Sequence, residues 1–255
     1  MRLLNVETYK LEFFQNAAEA PPYAILSHRW QEEEVLFEDI QDQPENEEKG
    51  WPKVLGCCKN AQVHGVHYVW IDTCCIDQKS SSELSESINS MFSWYQDAKY
   101  CIAYLFDVKK SIHEPEGQDQ FFFSDWFRRG WTLQELIAPK AVTFYRSDWY
   151  LLGLRYNLRG QISAITNIDE SVLCHGGLER LSTFSVAAKL AWAAKRQTTR
   201  PEDRAYSLMG LFGVNMPTLY GEGEAAAFFR LQIGIFEYSS DQSMLAWQIR
   251  QVDHF

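Results

Sequence analysis

The sequence predicts an α/β fold with a mainly parallel sheet, flanking helices and a mostly helical C-terminal region. Two observations favour this class. Between residues 23 and 146, short apolar segments alternate with amphipathic helical segments, which is the pattern of β–α–β units. After residue 147 the strand pattern fades and helical periodicity dominates. We therefore expect one domain over residues 1–255, with an α/β core at 1–147 and a helical extension at 148–255 packed on it.

Periodicity, capping residues and helix breakers mark the elements of the core. The segment HYVWIDTCCI has a continuous apolar start, which is typical of strands buried on both faces. Ser80 and Glu83 have the spacing of a capping box, and Pro139 ends the last core helix. The polar segments 41–50 and 109–120 are predicted to be surface loops. The predicted strands are 23–27, 67–76, 100–108 and 141–145, and the predicted helices are 52–64, a helix after Ser80 and about 129–138.

Composition and charge exclude several classes of function. The formal net charge of −10 argues against a nucleic-acid partner, because such proteins carry a basic surface. No apolar run reaches the roughly 18 residues of a membrane span. The six cysteines form no CxxC pair, so we expect no metal site and reduced thiols in a cytoplasmic protein. The sequence also lacks a phosphate loop, a dinucleotide-binding glycine fingerprint and a hydrolase nucleophile elbow.

Candidate site residues lie where the predicted strands end. Four of them follow the first strand and two follow the second: Ser27, His28, Arg29 and Trp30, then Asp72 and Cys75. In open parallel sheets, ligands bind at the carboxyl ends of the strands, where the loops diverge. The sequence therefore predicts a cleft at this edge, lined by rings, a cation, hydroxyl groups and carboxylates.

The core helix in RRGWTLQELIAPK (128–140) has an unusual second face. Leu133, Leu136 and Ile137 share the face that packs on the sheet. Trp131 and Glu135 are four residues apart and lie together on the opposite face, where water is expected. Since the helix follows the third predicted strand, we predict that this face opens into the cleft beside Arg29 and Asp72.

Each candidate has a structural alternative that the sequence leaves open. His28 is equally suited to a hydrogen bond within its loop. Arg29 is as well suited to an ion pair with Asp72 as to a phosphate contact. Asp72 has the position of a residue that caps the following turn, and Glu135 alone would be read as a solvated surface carboxylate.

Four segments together resemble the heterokaryon incompatibility (HET) domain of fungi. They are YAILSHRW, the segment from YVWIDTCC to AYLFDV, RGWTLQELIAP, and TTRPEDRAYSLMGLFGVNMPTLYGEG. The resemblance covers nearly the whole chain. It implies a role in fungal non-self recognition and cell death. It also implies that the chain is the effector part of a longer protein, followed by nucleotide-binding and repeat regions.

A second resemblance, more distant, bears on chemistry. The order of strands and helices, followed by W-x-x-x-E on a helix, is similar to Toll/interleukin-1 receptor (TIR) domains, which implies a TIR-like (flavodoxin-like) core. In TIR enzymes the glutamate of that motif supports cleavage of NAD at the nicotinamide–ribose bond. Trp131 and Glu135 match the motif. The resemblance therefore implies an NAD glycohydrolase with NAD as substrate, no required cofactor, Glu135 as catalytic residue, and Arg29 as the pyrophosphate contact with His28 and Ser27 beside it.

The sequence is also compatible with two other functions. The first is a non-enzymatic signalling module that acts by self-association. The second is a thiol hydrolase in which Cys74 or Cys75 pairs with His28 or His67 as nucleophile and base. Against the second, adjacent cysteines in an apolar strand are more often packing residues.

Overall fold

A computed structural model describes residues 1–41 and 50–245 of the chain. Its strands are β1 (Arg2–Asn5), β2 (Leu11–Phe13), β3 (Tyr23–His28), β4 (Tyr68–Trp70), β5 (Tyr100–Leu105), β6 (Val142–Arg146) and β7 (Leu151–Leu154). These seven form a single sheet in the order β2-β1-β4-β3-β5-β6-β7. The four central strands are parallel, whereas β1, β2 and β7 pair antiparallel at the two sides.

The order of the central strands decides where a ligand fits. Numbered among themselves along the chain, β3, β4, β5 and β6 lie in the order 2-1-3-4, which is the flavodoxin-like arrangement. The direction of winding reverses between β3 and β5, and such sheets bind ligands outside the carboxyl ends of the strands at this point. The predicted α/β class is confirmed. The three antiparallel strands were not predicted.

Eleven α-helices are described within residues 1–41 and 50–245. They are α1 (Trp51–Val63), α2 (Asp72–Cys75), α3 (Ser81–Asp97), α4 (Pro115–Phe123), α5 (Thr132–Ile137), α6 (Arg159–Thr166), α7 (Gly177–Arg180), α8 (Val186–Ala193), α9 (Asp203–Tyr206), α10 (Met209–Phe212) and α11 (Glu224–Tyr238). None of these helices has the length and hydropathy that crossing a membrane requires. The predicted capping residue at α3 is confirmed, because the Ser80 hydroxyl accepts a hydrogen bond from the Glu83 amide.

Three element predictions differ from the structure for local reasons. The strand predicted at 67–76 ends at Trp70, because the Cys75 amide bonds back to the Ile71 carbonyl and closes the turn of α2. The loop predicted at 109–120 contains the start of α4, with Pro115 in its first turn, a position that proline favours. β7 lies beyond the predicted core boundary at 147, so the sheet extends to Leu154. Most of the predicted loop at 41–50 lies outside the described residues.

Several groups of hydrogen bonds join the helical C-terminal region to the core, and two of them involve its backbone. Asn89 of α3 exchanges two hydrogen bonds of 3.1 Å with the backbone of Met216. The Gly130 amide donates to the Gln197 carbonyl, and the Gln197 amide donates to the Arg128 carbonyl, at 2.8 and 2.6 Å. This second contact is a parallel β-bridge that places the start of the loop 197–203 directly beside α5.

The close packing of α10 on α3 makes a prediction about stability. A Cβ atom at Gly210 would lie 2.1 Å from the Cβ of Phe92, so Gly210→Ala forces the two helices apart. We expect a loss of about 1–3 kcal/mol in the free energy of unfolding, measured by urea denaturation. The matched control is Gly160→Ala in α6, where the nearest atom, Oε1 of Glu170, lies 3.7 Å away. This control should be neutral or stabilising by up to about 1 kcal/mol; equal losses in both variants would contradict the packing described.

Candidate functional site

A cavity of about 460 Å³ lies at the carboxyl edge of the parallel strands. Its walls come from the ends of β3 and β4, the segment that leads into α5, and the loop 197–203 of the helical region. Five residues predicted from the sequence line it: Arg29, Trp30, Asp72, Trp131 and Glu135. The structure therefore brings together residues that follow the neighbouring parallel strands β3 and β4 with Trp131 and Glu135 of the α5 region, at one edge of the sheet.

Glu135 lies in a helix that is buried on every side. All six residues of α5 are buried, and Glu135 is only 5% exposed. The face that periodicity assigns to water is covered because Glu135 packs against the end of β3 and against α3, while the helical C-terminal region contacts Trp131. The Ser27 hydroxyl donates a hydrogen bond of 2.5 Å to Oε2 of Glu135, and the Trp126 indole donates to Ser27 at 3.0 Å. Glu135 is thereby held at the end of β3, with one side open to the cavity.

The surroundings of Glu135 change its acidity. Burial raises the pKa of Glu135 to about 7, although the hydrogen bond from Ser27 opposes the shift. The charge of Asp72 raises this pKa further, and the charge of Arg129 and the nearby Tyr95 hydroxyl lower it. Burial also lowers the pKa of Arg196, behind α5, to about 9, so this residue remains a cation at neutral pH. Glu135 therefore exchanges its proton near neutral pH, as a general base must.

Trp131 is held in place by the helical region. Its indole donates a hydrogen bond of 3.1 Å to Oδ2 of Asp203, while the Tyr220 hydroxyl donates to Oδ1 at 2.9 Å. Burial raises the pKa of Asp203, against these two hydrogen bonds. Asp203 and Tyr220 also line the cavity. No local pattern predicts these contacts, because both residues are more than 70 positions from Trp131 in the chain.

His28 and Trp30 position Asp72. The His28 Nε2 atom lies 2.8 Å from Oδ1 of Asp72, and the Trp30 indole donates to Oδ2 at 2.7 Å. Burial and the nearby charge of Lys53 lower the pKa of His28, so its imidazole is neutral and donates to Asp72. Burial opposes ionisation of Asp72, but His28, Arg129 and Trp30 hold its pKa below the usual value. Asp72 therefore presents a fixed negative charge to the cavity.

Not every residue predicted for the site reaches the cavity. Ser27 and His28 lie behind the wall and act through Glu135 and Asp72. Arg29 lines the cavity but forms its ion pair with Asp125 rather than with Asp72. Cys75, predicted to contact substrate, does not line it. The Cys75 thiol is buried and lies 3.4 Å from the Ile71 amide, so this residue packs against the turn of α2.

The arrangement required for a thiol hydrolase is not formed by the described residues. Cys74 and Cys75 are both buried, and no hydrogen bond joins a cysteine to a histidine within residues 1–41 and 50–245. A hydrogen bond to Cys75, together with burial, raises the pKa of the Cys74 thiol well above its usual value. His67 is exposed and pairs with Glu7 at the opposite end of β4. In the same part of the chain, no three potential ligands lie together as a metal site needs.

Comparison with known proteins identifies the family. The family model "Heterokaryon incompatibility protein (HET)" matches residues 23–116. The vegetative incompatibility protein HET-E-1 of Podospora anserina is 44% identical over 218 residues, which is 83% of this chain. The chain carries a HET domain. The aligned segment is 16% of the length of HET-E-1, and no solved structure matches the chain. The family match includes Ser27, Trp30 and Asp72, whereas Glu135 of this HET domain lies beyond it.

The raised pKa of Glu135 makes a prediction about stability and pH. The pKa in the folded HET domain is about 7, against an ordinary value of 4.5, so the folded protein loses stability as the pH rises through this interval. Glu135→Gln has no such ionisation. Its free energy of unfolding relative to the wild type should therefore increase between pH 5 and pH 8, by up to about 3 kcal/mol. Urea denaturation at both pH values measures this difference.

The control for this experiment is Glu237→Gln, which removes an exposed carboxylate from α11. A relative stability of Glu135→Gln that is the same at pH 5 and pH 8 would contradict the raised pKa.

Proposed function

We propose that this HET domain cleaves NAD at the nicotinamide–ribose bond, as a cell-death effector in fungal non-self recognition. The observation that carries the proposal is the buried carboxylate of Glu135, held by Ser27 and open to a cavity with aromatic and cationic walls. A carboxylate with a pKa near 7 is costly to keep in a stable core, and such groups are concentrated at functional sites.

The chemistry matches what one carboxylate can supply. Nicotinamide leaves as a neutral molecule when the C1′–N bond breaks and its electron pair moves to the ring nitrogen, so no general acid is needed. The ribosyl group becomes cationic and is then captured by a nucleophile. Ionised Glu135 stabilises the positive charge, and burial strengthens its field. When water is the nucleophile, Glu135 also accepts its proton, for which a pKa near 7 is suited.

The aromatic walls complete the proposed site. Trp30 and Trp131 both line the cavity, and each is fixed by an indole hydrogen bond, to Asp72 and to Asp203. Rings fixed in this way exclude water from the reacting bond and offer flat surfaces against which a nicotinamide or a ribose packs. Asp72 supplies a second negative charge near the ribosyl cation.

The chain spans about a sixth of HET-E-1. We propose that it acts within a longer cytoplasmic protein, whose nucleotide-binding and repeat regions follow the HET domain and cluster it when non-self is recognised. Clustering raises the local concentration of the effector by tethering, without any new contact in the cavity.

The proposed function predicts loss of NAD cleavage in Glu135→Gln. Nicotinamide release from NAD by purified protein should fall about 100-fold or more, because the amide cannot stabilise the cation or accept a proton. In the wild type the rate should rise with pH through about 7, as Glu135 ionises. The matched control, Glu237→Gln, should cleave NAD at the wild-type rate. Release by Glu135→Gln at the wild-type rate, with the fold intact, would remove Glu135 from the mechanism.

A second function, self-association, is favoured by the outer face of α11. Phe229, Ile233 and Phe236 are 62, 43 and 42% exposed, and Ala226 extends the stripe by one turn. The spacing of three and four residues is that of a coiled-coil seam. Such a stripe is complementary to itself, so a second copy of the chain covers it in a symmetric pair. This surface is separate from the cavity, so association and NAD cleavage are compatible.

Self-association through α11 predicts that Phe229→Ser weakens the dimer. The dissociation constant measured by sedimentation equilibrium should rise at least about tenfold, since an exposed phenylalanine at the centre of the stripe loses its contact. The control is Val63→Ser, which removes an isolated apolar side chain that is 79% exposed at the end of α1. A wild-type chain that stays monomeric at every concentration would rule out the stripe as a contact between copies.

A further inference from the structure

Four arginines line the cavity, but they are not equivalent. They are Arg29, Arg128, Arg129 and Arg200. Arg29 is neutralised by its ion pair with Asp125, and its side chain is 43% exposed. Arg128, Arg129 and Arg200 form no ion pair with any carboxylate of residues 1–41 and 50–245. Three positive charges therefore line the cavity without an ion-pair partner in this part of the chain, on a protein that is acidic as a whole. Of these three, Arg129 and Arg200 each lie against an aromatic ring of the cavity, Trp30 and Tyr220.

We propose that Arg129 and Arg200 bind the diphosphate group of the substrate. The inference rests on the proposed NAD cleavage for the identity of the substrate, and assigns the contact to residues other than Arg29. Guanidinium groups recognise phosphate oxygens through paired N–H donors, which suits a dinucleotide diphosphate.

Arg129 has a donor that the protein itself leaves without an acceptor. Its Nε atom is buried and makes no hydrogen bond within the described residues, although buried donors are nearly always satisfied. The guanidinium carbon lies 5.9 Å from the centre of the Trp30 ring, on the cavity wall. Nε itself is closed to the cavity, so an incoming phosphate would meet the terminal nitrogens of the same guanidinium, which also make no hydrogen bond within the described residues, and gain charge-assisted hydrogen bonds there.

The position of Arg129 relative to Glu135 fits the length of the substrate. A single ribose separates C1′, where the bond breaks, from the diphosphate, so the binding cation must lie close to the catalytic carboxylate. Arg129 is near enough to lower the pKa of Glu135, and of Asp72 and Asp203 as well, yet it is paired with none of them. It therefore lies near three of the four carboxylates that line the cavity without being neutralised by contact with one.

Arg200 brings a second cation from the helical region. Its guanidinium carbon lies 4.2 Å from the centre of the Tyr220 ring, which orients the planar group at the cavity mouth. The parallel β-bridge between Arg129 and Gln197 fixes the two arginine-bearing segments to each other. Both charges lower the pKa of Asp203, so both guanidinium groups lie near that carboxylate. The core and the helical region thus contribute one arginine each to the same anion site.

Binding of inorganic pyrophosphate and of ADP-ribose, measured by isothermal titration calorimetry, tests the assignment. We expect Arg129→Gln and Arg200→Gln each to raise the dissociation constant of both ligands at least tenfold. Arg29→Gln should change both constants less than threefold, because that guanidinium is already paired. The control for the loss of one positive charge is Arg204→Gln, which pairs with Glu224 and does not line the cavity. Arg129→Lys keeps the charge without the planar fork and should give an intermediate loss.

The outcomes separate this inference from the proposed function. Weakening by Arg29→Gln but not by Arg129→Gln or Arg200→Gln would overturn the assignment, as would a wild-type chain that binds neither ligand. Binding of pyrophosphate and ADP-ribose that depends on Arg129 and Arg200 supports it even if NAD is not cleaved, and only the proposed reaction then fails. Conversely, if both glutamine variants cleave NAD with an unchanged KM, the proposed reaction stands and the assignment of the diphosphate contact to Arg129 and Arg200 is wrong. Thermal denaturation of every variant shows whether it is folded. Because Arg200 is exposed, Arg200→Gln tests the anion contact without disturbing buried packing.

Discussion

The hydrogen bond between Ser27 and Glu135 is the contact on which the site depends. It joins the carboxyl end of β3, the central strand at which the winding of the sheet reverses, to a helix 108 residues later in the chain. Burial around this contact raises the pKa of Glu135 to about 7, while the carboxylate itself still lines the cavity. The Trp126 indole holds Ser27 by a hydrogen bond on the side away from the cavity. The buried cation of Arg196, next to α5, offsets part of the negative charge of Glu135. One set of packing contacts therefore sets both the position and the acidity of the carboxylate.

Much of the core could be predicted from the sequence because its signals are local. Apolar runs identified β3, β5 and β6, and the capping residue Ser80 identified the start of α3. The carboxyl-end rule then selected Arg29, Trp30 and Asp72, because parallel strands place their ends at one edge whatever the details of packing. The sequence did not predict β1, β2 and β7, because they are strands of three or four residues at the outer part of the sheet. Such short strands are defined by their hydrogen bonds to a neighbouring strand rather than by an apolar pattern in the sequence.

The environment of each site residue could not be predicted, since it depends on contacts between distant segments. Periodicity placed Trp131 and Glu135 on one face of a helix, but whether that face meets water depends on distant segments: β3 and α3 cover Glu135, and the helical region holds Trp131. Trp131 bonds to Asp203, 72 residues away, and Arg29 bonds to Asp125, 96 residues away. Neither partner carries a local signal. For Cys75 a local signal pointed to the site but the structure does not place it there. Its position after a strand suggested a contact with substrate, whereas the turn of α2 directs its thiol into the core.

The bridge between Arg129 and Gln197 has a consequence for how this domain can be divided. The family match ends at residue 116, yet the far wall of the cavity is formed by residues from 197 to Tyr220. A fragment cut at the limits of the match would keep Asp72 and its two hydrogen-bonding partners but would lose Glu135 and the residues that cover it. A fragment that keeps the whole cavity must therefore include the helical region after the sheet, because residues of that region form its far wall.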